Sequence, residues 1–96
     1  MRDYEIMLIL DPTLEKEAIE KIIKKVENLI KKYKGKVEQV DKWGRRKLVY
    51  PILEQVEGYY LVIKFRGIPE TIAELHRVSK LTDEVMRYII VRRAKT

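Results

Sequence analysis

The sequence contains no cysteine, which excludes both a disulfide framework and a thiolate metal site. Histidine occurs once, at His76, so a centre built from several imidazoles is excluded as well. Serine also occurs once, at Ser79. Asparagine is confined to Asn28, and glutamine to Gln39 and Gln55. Scarce amides beside abundant Lys and Glu are the bias of heat-adapted proteins, whose surface charges form networks. The four glycines are scattered, and no GxGxxG or P-loop pattern is present to cradle a phosphate. Long apolar runs are missing too. The run Ile6–Leu10 stops at Asp11-Pro12, too short for a signal-peptide core, and no run is long enough to span a bilayer. The expectation is a soluble, cytoplasmic protein with no membrane partner, no metal and no cofactor.

What is present fits one domain over residues 1–96, with 46% hydrophobic residues to supply a modest core. Twenty-one Lys and Arg face 15 Asp and Glu, a formal net charge of +6 and a pI near 9.5. That balance favours polyanionic partners, nucleic acid first.

An enzyme would need a nucleophile–base pair, paired carboxylates or a metal cluster. Ser79 lies three residues after His76 on one helix, but no acid follows to orient the imidazole, and a polar helix surface explains both residues. An acylphosphatase-like enzyme would need an arginine loop after the first strand, where this chain has Asp11-Pro12-Thr13. No catalytic residue and no small-molecule substrate are expected.

The apolar pattern gives six elements. Tyr4–Leu10 is apolar on both faces after Glu5, as in a central strand. Pro12 fits the first turn of a helix running from about Leu14 to Lys34, with an apolar stripe through Ile19, Ile22, Ile23, Val26 and Ile30. Gly35 is the expected left-handed stop. Val37–Tyr50 reads as a strand with a bulge at Gly44, and Pro51 places it at a sheet edge. Residues 54–58 form the hairpin connection, Tyr59–Arg66 the third strand, and Val85–Arg93 the last. Between these, Gly67-Ile68-Pro69 opens a second helix that buries Ile72, Leu75 and Val78. The order β-α-β-β-α-β predicts an α+β, ferredoxin-like fold. Its four-stranded antiparallel sheet has the first and third strands at the centre and two helices on one face.

Three features point to partners. Lys42-Trp43-Gly44-Arg45-Arg46-Lys47 carries four positive charges and no acid. Arg87, Arg92, Arg93 and Lys95 form a second acid-free cluster, and Arg2 starts the neighbouring first strand. Guanidinium forks suit phosphates, and an exposed Trp43 can stack on a base. A strand edge protected by charge is the plainer explanation of the first run. The third feature is the uncovered sheet face. If Tyr59, Leu61, Ile63 and Phe65 face the helices, then Tyr60, Val62 and Lys64 face outward. With Met7, Ile9, Ile89 and Val91 they make an apolar patch suited to a partner protein. A charge at Val62 is expected to damage that association first and RNA binding second.

An RNA-recognition motif shares this element order and is the alternative: an autonomous single-strand RNA-binding module. Its third strand carries a basic-Gly-aromatic-small-aromatic pattern. Here the matching stretch starts at Glu57-Gly58-Tyr59, with Tyr60 at the small position and Leu61 at the second aromatic. Those departures argue against stacking single strands as the main mode.

Met1-Arg2-Asp3-Tyr4-Glu5 with its aliphatic strand and Asp11-Pro12, then Trp43-Gly44-Arg45-Arg46-Lys47-Leu48-Val49-Tyr50-Pro51-Ile52, then Gly58-Tyr59-Tyr60 and a closing strand with Arg87, resemble the bacterial small-subunit ribosomal protein S-six family. The resemblance covers essentially the whole chain. It implies a structural component of the small ribosomal subunit that binds small-subunit ribosomal RNA as a heterodimer with the S-eighteen protein, without catalysis or a required metal. Many members carry a longer C-terminal tail than the one ending here at Thr96.

Overall fold

Alternating apolar residues build the strands, and the three-and-four spacing of isoleucines builds the long helix. The elements are β1 (Arg2–Leu10), α1 (Lys16–Lys32), β2 (Lys36–Ile52), β3 (Gln55–Gly67), α2 (Pro69–Leu81) and β4 (Val85–Arg92). The structure, a computed structural model, describes residues 1–52 and 55–93, with the backbone alone at 49–52 and 55. The side chains of Tyr50, Pro51 and Ile52, the residues 53–54, Lys95 and the terminal Thr96 lie outside the described residues. One antiparallel sheet runs in the order β2-β3-β1-β4, so β1 and β3 are central and β2 is an edge, as Pro51 indicated.

Ile6, Leu8 and Leu10 of β1 and Leu61, Ile63 and Phe65 of β3 point to one side and are fully enclosed. Ile22, Ile23, Val26 and Ile30 of α1 and Leu75 of α2 close that core. In α2 the innermost stripe is Thr71, Leu75 and Ser79, spaced by four, while Ile72 and Val78 flank it half-buried. Ser79 is therefore core-facing rather than part of a polar surface. Its small side chain, like that of Thr71, lets the helix lie close to the sheet.

Both ends of α1 differ from the expectation. The helix starts at Lys16, not near Leu14, so Pro12 lies before it. The Asp11 carboxylate accepts hydrogen bonds from the Thr13 hydroxyl at 2.7 Å and the Thr13 N–H at 2.8 Å, an Asx turn that redirects the chain. These bonds, the hydroxyl's first, hold the Asp11 carboxyl below its ordinary value. At the other end Lys34, not Gly35, takes the left-handed conformation, with φ 63°. Gly35 N–H donates to the Ile30 carbonyl at 2.9 Å and Lys34 N–H to the Lys31 carbonyl at 2.9 Å, a Schellman closure. Gly35 is required for a different reason. A Cβ there would lie 2.5 Å from the Arg66 carbonyl oxygen. The hairpin also differs: β3 starts at Gln55 and Ile52 pairs with Gln55, so residues 55–58 belong to the strand.

Candidate nucleic-acid and partner interface

The bulge in β2 decides how the basic run is distributed. Lys42 pairs with Leu61 and Gly44 with Tyr60, so Trp43 and Gly44 together oppose one residue. Gly44 takes φ +82°, which a glycine reaches without the strain of a Cβ. Directly opposed residues in an antiparallel pair point to the same side. Arg45 opposes Tyr59 and Lys47 opposes Glu57, so Lys42, Arg45 and Lys47 lie on the side that carries the helices. Arg46 opposes Gly58 and lies on the open side. There the Trp43 ring stacks on Tyr60, 6.2 Å between centroids and 9° apart, and the Arg46 guanidinium sits 5.9 Å over Trp43. The six-residue run is thus two sites, not one.

The second basic cluster divides along the strands. Arg87 pairs with Ile9 and Ile9 with Tyr60, which sets Arg87 on the open face in the same row as the Trp43–Tyr60 stack. Arg92 opposes Tyr4, and the Arg93 N–H donates to the Asp3 carbonyl at 2.8 Å. Arg2 opposes Gly67. These three lie at the far end of the sheet, about five residues or roughly 17 Å from Arg87. Arg66 there ion-pairs with Asp3 at 3.2 Å.

The apolar patch is smaller than expected. Val62 is 2% exposed and Ile9 7%, so both are already enclosed in the isolated chain. Each sits on a central strand with neighbours on both sides. Met7 and Asp41 flank Val62, and the Ile9 and Leu48 side chains both lie over Gly58. Ile89 at 50% and Val91 at 44% exposure, on the edge strand β4, are the open part of the patch, with Met7 and Tyr60 half-buried beside them. Trp43 is 46% exposed despite its stack.

On the helix side Lys42 is ion-paired with Glu20 of α1. That hydrogen bond lowers the Glu20 carboxyl and raises the Lys42 ammonium relative to their ordinary values. Beside the pair lies a groove of about 310 Å³, lined by Leu14, Lys16, Ile19, Arg45 and Tyr59. Sequence reasoning did not find Lys16, Glu20 or Tyr59 as companions of the basic run. The bulge falls at Gly44 as expected, but the pairing of β2 with β3 and the packing of α1 beside it are set between elements and are not written along one strand. His76, the other residue weighed for chemistry, has its Nδ1 2.9 Å from the Tyr88 hydroxyl.

Tyr59 and Leu61, where an RNA-recognition motif would hold its stacking aromatics, lie on the helix side, and Leu61 is fully buried. The molecule is therefore a ferredoxin-like α+β domain with basic margins and an aromatic-and-aliphatic open face, not an RNA-recognition motif. The family model described as Ribosomal protein S6 matches residues 3–92. The small ribosomal subunit protein bS6 of Clostridium novyi is 50% identical over 91 residues, 95% of this chain and 96% of that protein. That of Caldanaerobacter subterraneus is 44% identical over 92 residues, 96% of this chain and 97% of that protein. The crystal structure of 30S ribosomal protein S6 from Thermotoga maritima superposes with a TM-score of 0.89 at 35% identity, covering 96% of this chain and 87% of that one. The chain belongs to the ribosomal protein S6 family. An Arabidopsis thaliana protein 16% identical, with a TM-score of 0.59, shares the fold alone.

Proposed function

We propose that this chain is a structural component of the small ribosomal subunit in the cytoplasm, that it binds small-subunit ribosomal RNA, and that it does so together with the S-eighteen protein. Family membership over residues 3–92 carries the first part. The division of the surface supports the rest. Basic side chains at Lys42, Arg45 and Lys47, and at Arg2, Arg92 and Arg93, lie at margins where a folded RNA can reach them. The open face offers Ile89, Val91, Met7 and Tyr60 around the buried Ile9 and Val62, a surface apolar enough for a protein neighbour. Trp43, Arg46 and Arg87, which the sequence suggested for RNA, lie on this same face, and we assign them to the contact with the protein partner. The role needs no turnover: His76 is engaged with Tyr88, and Ser79 is buried.

The enclosure of Val62 changes the appropriate test. A charge there is buried within the chain itself and unfolds it before it reports on any partner. Ile89→Asp is the proper probe. It leaves the chain folded and is expected to reduce binding of the S-eighteen protein at least tenfold, measured by calorimetry without RNA, while the chain's incorporation into small subunits falls in parallel. Unchanged affinity for that protein, with incorporation intact, would remove the open face from the interface.

A further inference from the structure

The groove between α1 and the β2–β3 edge has a character that the open face lacks. Its floor is Leu14, Ile19 and the Tyr59 ring, and its rim is Lys16, Lys42 and Arg45. The one carboxylate in its wall, Glu20, is held ionised by Lys42, which it neutralises and fixes in place. Among the described residues, neither Lys16 nor Arg45 meets a carboxylate within ion-pair distance. Lys47 continues the cationic line on the same side, two residues or about 7 Å beyond Arg45, though Glu57 opposes it. A larger cleft of about 620 Å³ at the other side of α1 has no such bias, because Glu15, Glu17 and Glu84 offset Lys21 and Lys25 there.

We propose that this helix-side groove is an RNA-binding site separate from the open face: Lys16 and Arg45 hold the phosphodiester backbone of one strand, and Tyr59, Leu14 and Ile19 receive its sugar or base edge. The occupant follows from charge and size. Two unpaired cations at a slot of about 310 Å³ suit a single sugar-phosphate strand. The guanidinium of Arg45 can engage two phosphate oxygens at once, which an ammonium cannot. Because Arg45 and Arg46 are adjacent and point to opposite sides, β2 becomes a blade with RNA on the helix side and the protein partner on the open side. One strand then couples the two bindings directly.

The inference rests on the ribosomal reading, and the experiment separates the two. The absence of cysteine makes single-site labelling clean. Lys16→Cys and Arg46→Cys, each carrying a tethered iron chelate, are assembled into small subunits, and hydroxyl-radical cleavage of the RNA is mapped. Cleavage of RNA from position 16 is expected, and position 46, on the side given to the protein partner, is expected to cleave RNA weakly or not at all. In parallel, Lys16→Ala with Arg45→Ala is expected to lower the log–log salt slope of binding to small-subunit RNA by roughly 1.5 units, about 0.7–0.9 per lost phosphate contact. If labelled protein enters the subunit but position 16 cleaves no RNA, or the slope is unchanged, the groove is not an RNA site and the ribosomal reading stands. A variant that loses affinity for a protein partner instead shows a protein-docking groove and also overturns the inference. If even the unmodified chain fails to enter small subunits, the ribosomal reading falls, and this inference with it.

Discussion

Phe65, Leu61 and Ile63 on the helix side of β3 are fully enclosed, while on the opposite side Val62 is enclosed and Ile89 and Val91 are about half exposed. Both sides come from the same alternation of apolar residues. They differ in what lies above them: two helices on one side and, among the described residues, only neighbouring side chains on the other. On the open side, enclosure depends on position within the sheet. Central strands shield their own side chains, and the edge strand β4 does not. A bare sheet face is thus part core and part binding surface, and only the second part is free for a partner.

Substitutions that remove side chains from each side test this comparison most severely. Phe65→Ala is expected to cost about 3–5 kcal/mol of stability, and Val62→Ala roughly 1–2 kcal/mol. Urea unfolding with both variants measures them. If Val62→Ala is neutral while Phe65→Ala is not, the centre of the open face is not a core region at all. Intermediate effects come from two glycines, one just before β2 and one in its middle. Gly35→Ala drives a Cβ against the Arg66 carbonyl and Ile30 and should cost about 2 kcal/mol. Gly44→Ala meets no atom within 4 Å and suffers only its positive φ, about 1 kcal/mol. Thermal midpoints of the pair should rank in that order, and the reverse order would place the tighter packing at the bulge.

The smallest effect is expected where the helix side meets solvent. The Glu20 carboxyl is lowered by Lys42, so its contribution to stability is complete above its unfolded value near 4.5 and is lost as acid protonates it. The Lys42 ammonium is raised, so its contribution is complete below its unfolded value near 10.5 and is lost only in alkali. Lys42→Ala should return the Glu20 carboxyl to its ordinary range in an NMR titration and scarcely move the urea midpoint at pH 7, because the pair is exposed. A large loss of stability would show that the α1–β2 contact is structural rather than peripheral.

Element order, central pairing, the edge position of β2 and the helix-facing side of β3 were all legible from apolar periodicity, because burying one side of a strand imposes a period of two. The helix ends were less so. Lys34 in the left-handed conformation follows no composition rule, since any residue can close the turn when the surrounding hydrogen bonds hold it. Gly35 is fixed by the approach of β3, a contact 31 residues away in the chain.

The sequence alone pointed to a basic chain with a two-layer α+β core and two acid-free basic stretches. Charge and hydrophobic period are properties of composition and order, and they survive without coordinates. Tertiary structure decided how those charges are grouped. One extra residue at the Trp43–Gly44 bulge turns Arg45 to the helices and leaves Arg46 on the open face, and strand pairing sends Arg87 and Arg92 to opposite ends of the sheet. The side to which a side chain points depends on hydrogen-bond register, and register is set between strands rather than along one.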